Sequence, residues 1–280
     1  MDEETFSKII ELITQRIGII PRDSHKTGIK NYIEKRLLEL EAENTSKNDE
    51  TFDYYDFLIN DPDEMMNLIN SATVNETYFF REEAQFDLLK AKIFPTIKSK
   101  TILPIKIWSA ASSSGEEIYS ILLLASSLGI RTDCTASDIN TKVLDICRNG
   151  QYKKNAVRTV DGAKYKELLE PYLQEDGSFI LPREIREKVT LKQINLSKLT
   201  DLPRNQDIVF LRNVFIYFSQ EMKKQILQHI ADESLGPDGY LFLSMNEVAS
   251  IDASIIPKNL EKVSDGKVFY FHKTMQAAII

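Results

Sequence analysis

Three strand-end positions in this 280-residue chain carry polar residues suited to holding a ligand. Ser112-Ser113-Ser114-Gly115 is a loop of small residues after an apolar run, where a ligand can approach the backbone and a following helix offers free N–H groups. On its own the loop is equally well read as a plain tight turn. Asp138 lies some twenty residues further on, at the end of the next apolar run, where an acid can accept both hydroxyls of a ribose. Its competing reading is a helix N-cap before Asn140-Thr141. Asn195 ends a third run, where an amide can read an adenine edge or simply make a turn. The chain has no phosphate-cradling lysine and no long glycine-rich stretch, so a nucleoside without phosphates fits better than ATP or NAD.

Other chemistries fall away. The histidines are His25, His229 and His272, and none sits at a strand end beside a Ser or Cys that it could activate. Cys134 and Cys147 read as core thiols, and no Cys/His spacing suits a metal. Two polar clusters remain, Asn75-Glu-Thr-Tyr-Phe-Phe-Arg81 and Arg212-Asn-Val-Phe-Ile-Tyr-Phe218. Taken singly, each is what core aromatics beside a surface charge would give. Together with Asp138 and Asn195 they suggest one pocket.

The elements that must position these residues change in texture along the chain. The first 70 residues are helical in pattern: Phe6, Ile9, Ile10, Ile13 and Ile17 recur at helical spacing. A second helix is expected over Lys30–Glu43, a loop over Asn44–Glu50, a short helix over Thr51–Asn60, and Pro62 in the first turn of another. From Ile102 short apolar runs alternate with helices, the pattern of a parallel α/β sheet. The expected strands are Ile105–Trp108, Asp133–Ser137, Val189–Ile194, Asp207–Leu211, Tyr240–Ser244 and Lys267–His272. Helices are expected over Glu116–Leu128, Thr141–Arg148 and Gln220–Leu235, with a turn at Gly236-Pro-Asp-Gly239. Alternation lapses between Gln151 and Lys188, where Phe179-Ile-Leu181 suggests a small inserted hairpin. The organisation expected is a helical domain over 1–72 and a sheet domain over 73–280, with a β insert at about 152–188.

Composition narrows the partners. Net charge is −7 with 42% hydrophobic residues, so a full core is expected and a nucleic-acid footprint is absent at whole-chain level. The acidic start Met1-Asp-Glu-Glu4 is unlike a secretion signal, and the longest apolar run, Ile121–Ala125, is far below the ~20 residues that span a bilayer. A cytoplasmic protein without membrane insertion is expected.

On these motifs the chain resembles the chemotaxis receptor glutamate methyltransferases, the CheR family, over nearly its whole length. The matching segments are Asn75–Arg81, Ile107-Trp-Ser-Ala-Ala-Ser-Ser-Ser-Gly-Glu-Glu-Ile-Tyr-Ser120, Ala136-Ser-Asp-Ile-Asn140 and Leu211-Arg-Asn-Val-Phe-Ile-Tyr-Phe218. The run through Lys26, Lys30 and Lys35-Arg36-Leu37 is similar to that family's small helical domain. The resemblance implies a Rossmann-like class I methyltransferase sheet, S-adenosylmethionine as cofactor and S-adenosylhomocysteine as product. It also implies methyl-accepting receptor cytoplasmic domains as partners. By motif match, Asn75, Thr77 and Arg81 hold the methionine end, Glu117 is a cofactor-contacting acid and Asp138 binds the ribose. Asn195 and Leu196 flank the adenine, and Arg212 and Asn213 make further cofactor contacts. Arg81 and Tyr217 match groups near the transferred methyl.

Some positions depart from the family pattern. Ser113-Ser114 stands for Ser/Cys-Thr, Ile118 for a common proline and Met245-Asn-Glu247 for His-Ser-Glu. Glu175-Asp-Gly-Ser178 has one glycine where tail-tethered members have a glycine-rich loop, so recognition without tail-pentapeptide tethering is expected. Docking of the acidic receptor is assigned to Lys26, Lys30, Lys35 and Arg36, against the alternative of a solvated helix face. Two rival readings stay open: a methyltransferase with another acceptor, and a non-catalytic S-adenosylmethionine-binding signalling module.

Overall fold

The computed structural model describes residues 1–43, 53–158 and 160–274. Its contacts form two units, one of Met1–Val74 with Tyr217–Ser219 and one of Asn75–Ile216 with Gln220–Ile280.

In the first unit, α1 (Glu3–Ile17) is capped by Asp2, whose carboxylate accepts the Thr5 N–H at 2.8 Å. Gly18, at φ 72°, closes it, and Phe6, Ile9, Ile13 and Ile17 form its buried stripe. Then come α2 (Asp23–Glu43), α3 (Tyr54–Asn60) and α4 (Pro62–Ala72). Asp61 caps α4, with Pro62 in the first turn where its missing N–H costs nothing. The expected loop at 44–50 and the first two residues of the expected helix at Thr51 lie outside the described residues.

The cations assigned to docking all have acidic partners inside this unit. Lys26 pairs with Asp23 at 3.0 Å, Lys30 with Glu3 at 2.8 Å and Lys35 with Glu39 at 3.6 Å. Arg36 Nε holds Glu64, only 3% exposed, at 2.9 Å. Glu64 also accepts the Tyr54 hydroxyl at 2.7 Å. Arg36 is thereby a structural residue, because a carboxylate that deep requires its charge to be answered.

In the second unit, β1 (Ile105–Ala110) and β2 (Thr132–Asp138) lead to the two-residue strands β3 (Gln151–Tyr152) and β4 (Phe179–Ile180). Then follow β5 (Val189–Gln193), β6 (Gln206–Leu211), β7 (Leu235–Phe242), β8 (Leu260–Asp265) and β9 (Val268–Lys273). The main sheet runs β5-β2-β1-β6-β7-β9-β8, parallel except that β9 is antiparallel to both its neighbours. Strand order reverses between β2 and β6 on either side of β1, the switch point at which such sheets bind ligands. Helices α5 (Glu83–Leu88), α6 (Phe94–Lys98), α7 (Glu116–Ser127), α8 (Thr141–Asn149), α9 (Arg183–Arg186), α10 (Gln220–His229) and α11 (Met245–Ser250) complete it. The central strands are buried along most of their length; Ile107, Trp108, Phe210 and Phe242 are fully covered, as expected for strands with both faces packed.

Several local readings differ from the structure: the helix expected from Lys30 begins at Asp23, and the strand expected to reach Ser244 ends at Phe242, with Ser244 capping α11. The helix expected to reach Leu235 leaves α-geometry at His229 and ends in a π-turn over Ile230–Ser234. The expected turn at 236–239 is part of β7. Two steps of β6, from Gln206 to Ile208, face five steps of β7, from Leu235 to Tyr240, so these residues bulge out of the ladder with Asp238 at φ 56°. Edge strand β8 was not anticipated, because Leu260-Glu-Lys-Val-Ser-Asp265 buries little and carries charge, as edge strands do. The insert pairs Tyr152 with Phe179 and otherwise consists mainly of short 3₁₀ turns.

Candidate active site

The loop between β1 and α7 is bent by three left-handed residues, Ala111 (φ 59°), Ser113 (φ 51°) and Gly115 (φ 94°). A Cβ at Gly115 would stand 2.2 Å from Cys147 Sγ, so both space and φ demand glycine. The bend turns the Ser113 N–H onto Asp138 Oδ2 at 2.9 Å, while the Asn140 N–H reaches Oδ1 at 2.9 Å. Asn140, and not Asp138, caps α8: its side chain accepts from the Lys142 and Val143 N–H groups. Asp138 is 7% exposed, and burial lifts its carboxyl above the ordinary range despite these backbone donors. A carboxylate offers about four acceptor positions, so capacity remains for a ligand diol.

The segment from Asn75 to Glu82 lies against this loop. The Asn75 carbonyl accepts Ser113 Oγ at 3.2 Å, and the fully buried Phe79 and Phe80 anchor the segment. Phe79 N–H donates to the Ala156 carbonyl and Phe80 N–H to Ser120 Oγ, at 2.8 and 2.9 Å. Thr77 is half-buried beside them. Arg81 donates from Nη1 to the Glu76 carbonyl at 2.8 Å, and its own carbonyl accepts Arg212 Nη2 at 2.6 Å.

That last contact belongs to a buried charge cluster at the end of β6. The Arg212 side chain, 2% exposed, faces Glu117 at 3.2 Å and Glu82 at 3.6 Å. Glu117 also accepts Ser109 Oγ at 2.6 Å. Burial lifts both glutamates above the ordinary carboxylate range, with Arg212 opposing the rise. Two carboxylates therefore face Arg212, and the Arg81 charge acts on both as well, which leaves their remaining lone pairs to a cationic ligand.

Asn213, at φ 59°, is held by its N–H on Glu247 Oε2 at 2.8 Å, and Phe215 N–H donates to Oε1 at 2.8 Å. Glu247, 3% exposed, also accepts Ser244 Oγ at 2.7 Å. It thus ties the end of β6 to the start of α11. At the end of β5, Ile194 N–H donates to the Asp138 carbonyl at 3.0 Å and brings Asn195 and the buried Leu196 alongside β2. The Asn195 side-chain Oδ1 accepts Ser197 N–H and Oγ at 3.0 and 2.7 Å, so the turn reading holds for that atom.

The second unit thus gathers Asn75, Asp138 and Asn195 around the β1, β2 and β5 ends, and Arg81, Glu117, Arg212 and Asn213 around β1 and β6. Tyr217 belongs to the helical unit, where its carbonyl accepts the Ile20 N–H at 2.9 Å and its ring lies 5.7 Å from that of His25. Sequence reasoning missed Glu82, Ser109 and Glu247 as site residues. Ser244-x-x-Glu247 is a legible capping box, whereas nothing local marks Ser109.

The residues fit a nucleoside bearing a positive charge. Ser112 Oγ, in the β1–α7 loop, and Arg212 Nε, in the charge cluster, are buried without a hydrogen-bond partner. Among the described residues no His/Cys/Asp/Glu group could hold a metal ion, and no helix is long and apolar enough to cross a membrane.

The chain matches the family model described as CheR methyltransferase, SAM binding domain, over residues 75–262. It is 36% identical over 187 residues to a chemotaxis protein methyltransferase of Vibrio parahaemolyticus, covering 64% of this chain and 66% of that relative. It is 30% identical over 259 residues to chemotaxis protein methyltransferase 2 of Vibrio cholerae, covering 89% and 87%. The corresponding Escherichia coli protein is 32% identical over 260 residues, covering 88% and 85%.

Proposed function

Because the chain belongs to the CheR methyltransferase family and binds S-adenosylmethionine, we propose that it methylates glutamate side-chain carboxylates of chemoreceptor cytoplasmic domains. The products are a glutamate methyl ester and S-adenosylhomocysteine: the S–CH₃ bond breaks, a carboxylate O–CH₃ bond forms, and no proton moves. When bound, S-adenosylmethionine supplies a methyl already activated by its sulfonium. The observation that carries the reading is the paired arrangement of Asp138, answering a diol, and the Glu82/Glu117/Arg212 cluster, answering a cation.

In this reading Asp138 orients the ribose and Asn195 with Leu196 flanks the base. Asn75, Thr77, Glu117, Arg212 and Asn213 fix the methionine end. Arg81 aims the acceptor carboxylate, and the Tyr217 hydroxyl assists it on the strength of its motif match. An acceptor glutamate is already ionised near neutral pH, so no general base is needed. Positioning alone can lower such a barrier by up to about 7–11 kcal/mol.

Calorimetry with S-adenosylhomocysteine, followed by labelled-methyl transfer to a receptor cytoplasmic fragment, tests this. Expected are binding and a base-labile label. Binding without label would assign a sensor, and an acid- and base-stable product another acceptor.

A further inference from the structure

Tyr78, Arg81 and Arg158 form a second cluster, joined through Arg81 to the group that answers the cofactor's charge. The Arg158 guanidinium lies 4.8 Å from the Tyr78 ring centroid and that of Arg81 lies 5.5 Å from it. The ring is held in place: its hydroxyl donates to Asp161 Oδ2 at 2.7 Å, and Asp161 accepts the Glu82 and Glu83 N–H groups at 2.8 and 3.0 Å. Both arginines converge on Glu76. Arg81 Nη1 holds its carbonyl at 2.8 Å, and Arg158 Nη2 holds its carboxylate at 2.8 Å through Oε1. The Arg158 and Glu76 side chains are 51% and 65% exposed. Asn75 and Thr77, the neighbours of Glu76, are both in the candidate cofactor site.

We propose that Arg158 recognises the acceptor, exchanging its internal partner Glu76 for the carboxylate of the incoming glutamate. The inference rests on the methyl-transfer reading above and names a residue that reading does not use. An exposed ion pair is weak, so the exchange is nearly free of cost. A guanidinium presents a fork that takes a carboxylate through two parallel bonds, and Glu76 uses one. Stacking on a fixed phenol keeps the fork in place while its partner changes. Glu76 then acts as an internal stand-in for the substrate, chemically the same group, placed one residue from the cofactor-binding Asn75. Arg158 belongs to the segment after β3, so acceptor recognition and cofactor binding come from separate stretches of chain.

The experiment uses the full-length protein, labelled S-adenosylmethionine and a purified receptor cytoplasmic fragment. Base-labile labelling by the unsubstituted protein establishes the reaction; if it fails, the methyl-transfer reading and this inference fall together. Where it succeeds, Arg158→Ala is expected to raise the acceptor KM about three- to fivefold. Arg158→Lys should recover part of that loss, and S-adenosylhomocysteine affinity should not change. Glu76→Gln should act in the opposite direction and lower the acceptor KM, because the competing carboxylate is gone. An unchanged KM in Arg158→Ala would overturn the inference. So would a raised KM in Glu76→Gln, the result expected of a merely structural ion pair, or a weakened S-adenosylhomocysteine affinity in Arg158→Ala.

Discussion

At the residue scale the site is a set of buried carboxylates with distinct tasks. Asp138 spends one oxygen on each of two backbone donors and keeps lone pairs for a ligand. Asp138→Asn preserves the shape but removes the charge and half the acceptor capacity. It should weaken S-adenosylhomocysteine binding by about 1.5–3 kcal/mol, measured by calorimetry, and lower Tm as well, because the amide nitrogen must face one of the two backbone N–H donors. Arg212 is the opposite case, a cation within 4 Å of both Glu82 and Glu117. Arg212→Met strands two buried acids and should destabilise the fold by about 3–5 kcal/mol in denaturant titration. Part of that loss should return at acid pH, where the stranded carboxyls take up protons.

At the element scale, helices and strands matter through the loops they hold. The β1–α7 loop curls under Asp138 only because Gly115 accepts φ 94° against Cys147. Gly115→Ala should cost about 1–3 kcal/mol by thermal unfolding and weaken cofactor binding as the Ser113 N–H turns away. Adding Cys147→Ala should relieve the contact with sulfur and leave the backbone strain, so rescue is expected to be partial. Glu247 plays the equivalent part at the β6 end. Glu247→Ala releases the Asn213 and Phe215 N–H groups, each costing about 1–3 kcal/mol when left buried and unmet. Glu247→Gln keeps one acceptor and should retain more cofactor affinity. The glycine and the capping box are legible in the sequence. Their partners are not, because Cys147 and Asn213 lie more than thirty residues from them in the chain and meet them only in the folded protein.

At the scale of the whole molecule, buried acids make stability depend on pH. Burial raises the carboxyls of Glu116, Glu117 and Asp138 above their ordinary values of 4.5, 4.5 and 3.8. In the window between the ordinary and the raised value the folded state holds more protons than the unfolded state. These groups therefore lower stability as pH rises through that window, and their effect levels off above the raised values. Asp87 and Asp161 act oppositely: burial pushes them up, but their hydrogen-bond donors outweigh it, so the stability they contribute is lost as pH falls below the ordinary range. A cation beside Glu82 and Glu117 offsets the cost of ionising them. The Tm increase produced by S-adenosylmethionine should accordingly grow as pH rises from the ordinary carboxylate value through the raised one, read by thermal scanning at fixed ligand excess. An increase independent of pH would show that the cluster does not face the cofactor's charge.

The amino-acid order by itself determined the alternation of apolar runs with helices, and hence a parallel sheet with polar residues at its strand ends. It also determined the motifs that carry family membership, since both follow from local period and residue type. Only the tertiary structure decided which acids share a cation. It also decided that Asn140 rather than Asp138 caps its helix, that Lys26, Lys30, Lys35 and Arg36 already have partners, and that residues 236–239 bulge within a strand. The physical reason is common to all of these. Charge pairing, desolvation and strand register depend on distances between segments far apart in the chain, and no local pattern encodes a distance across a sheet.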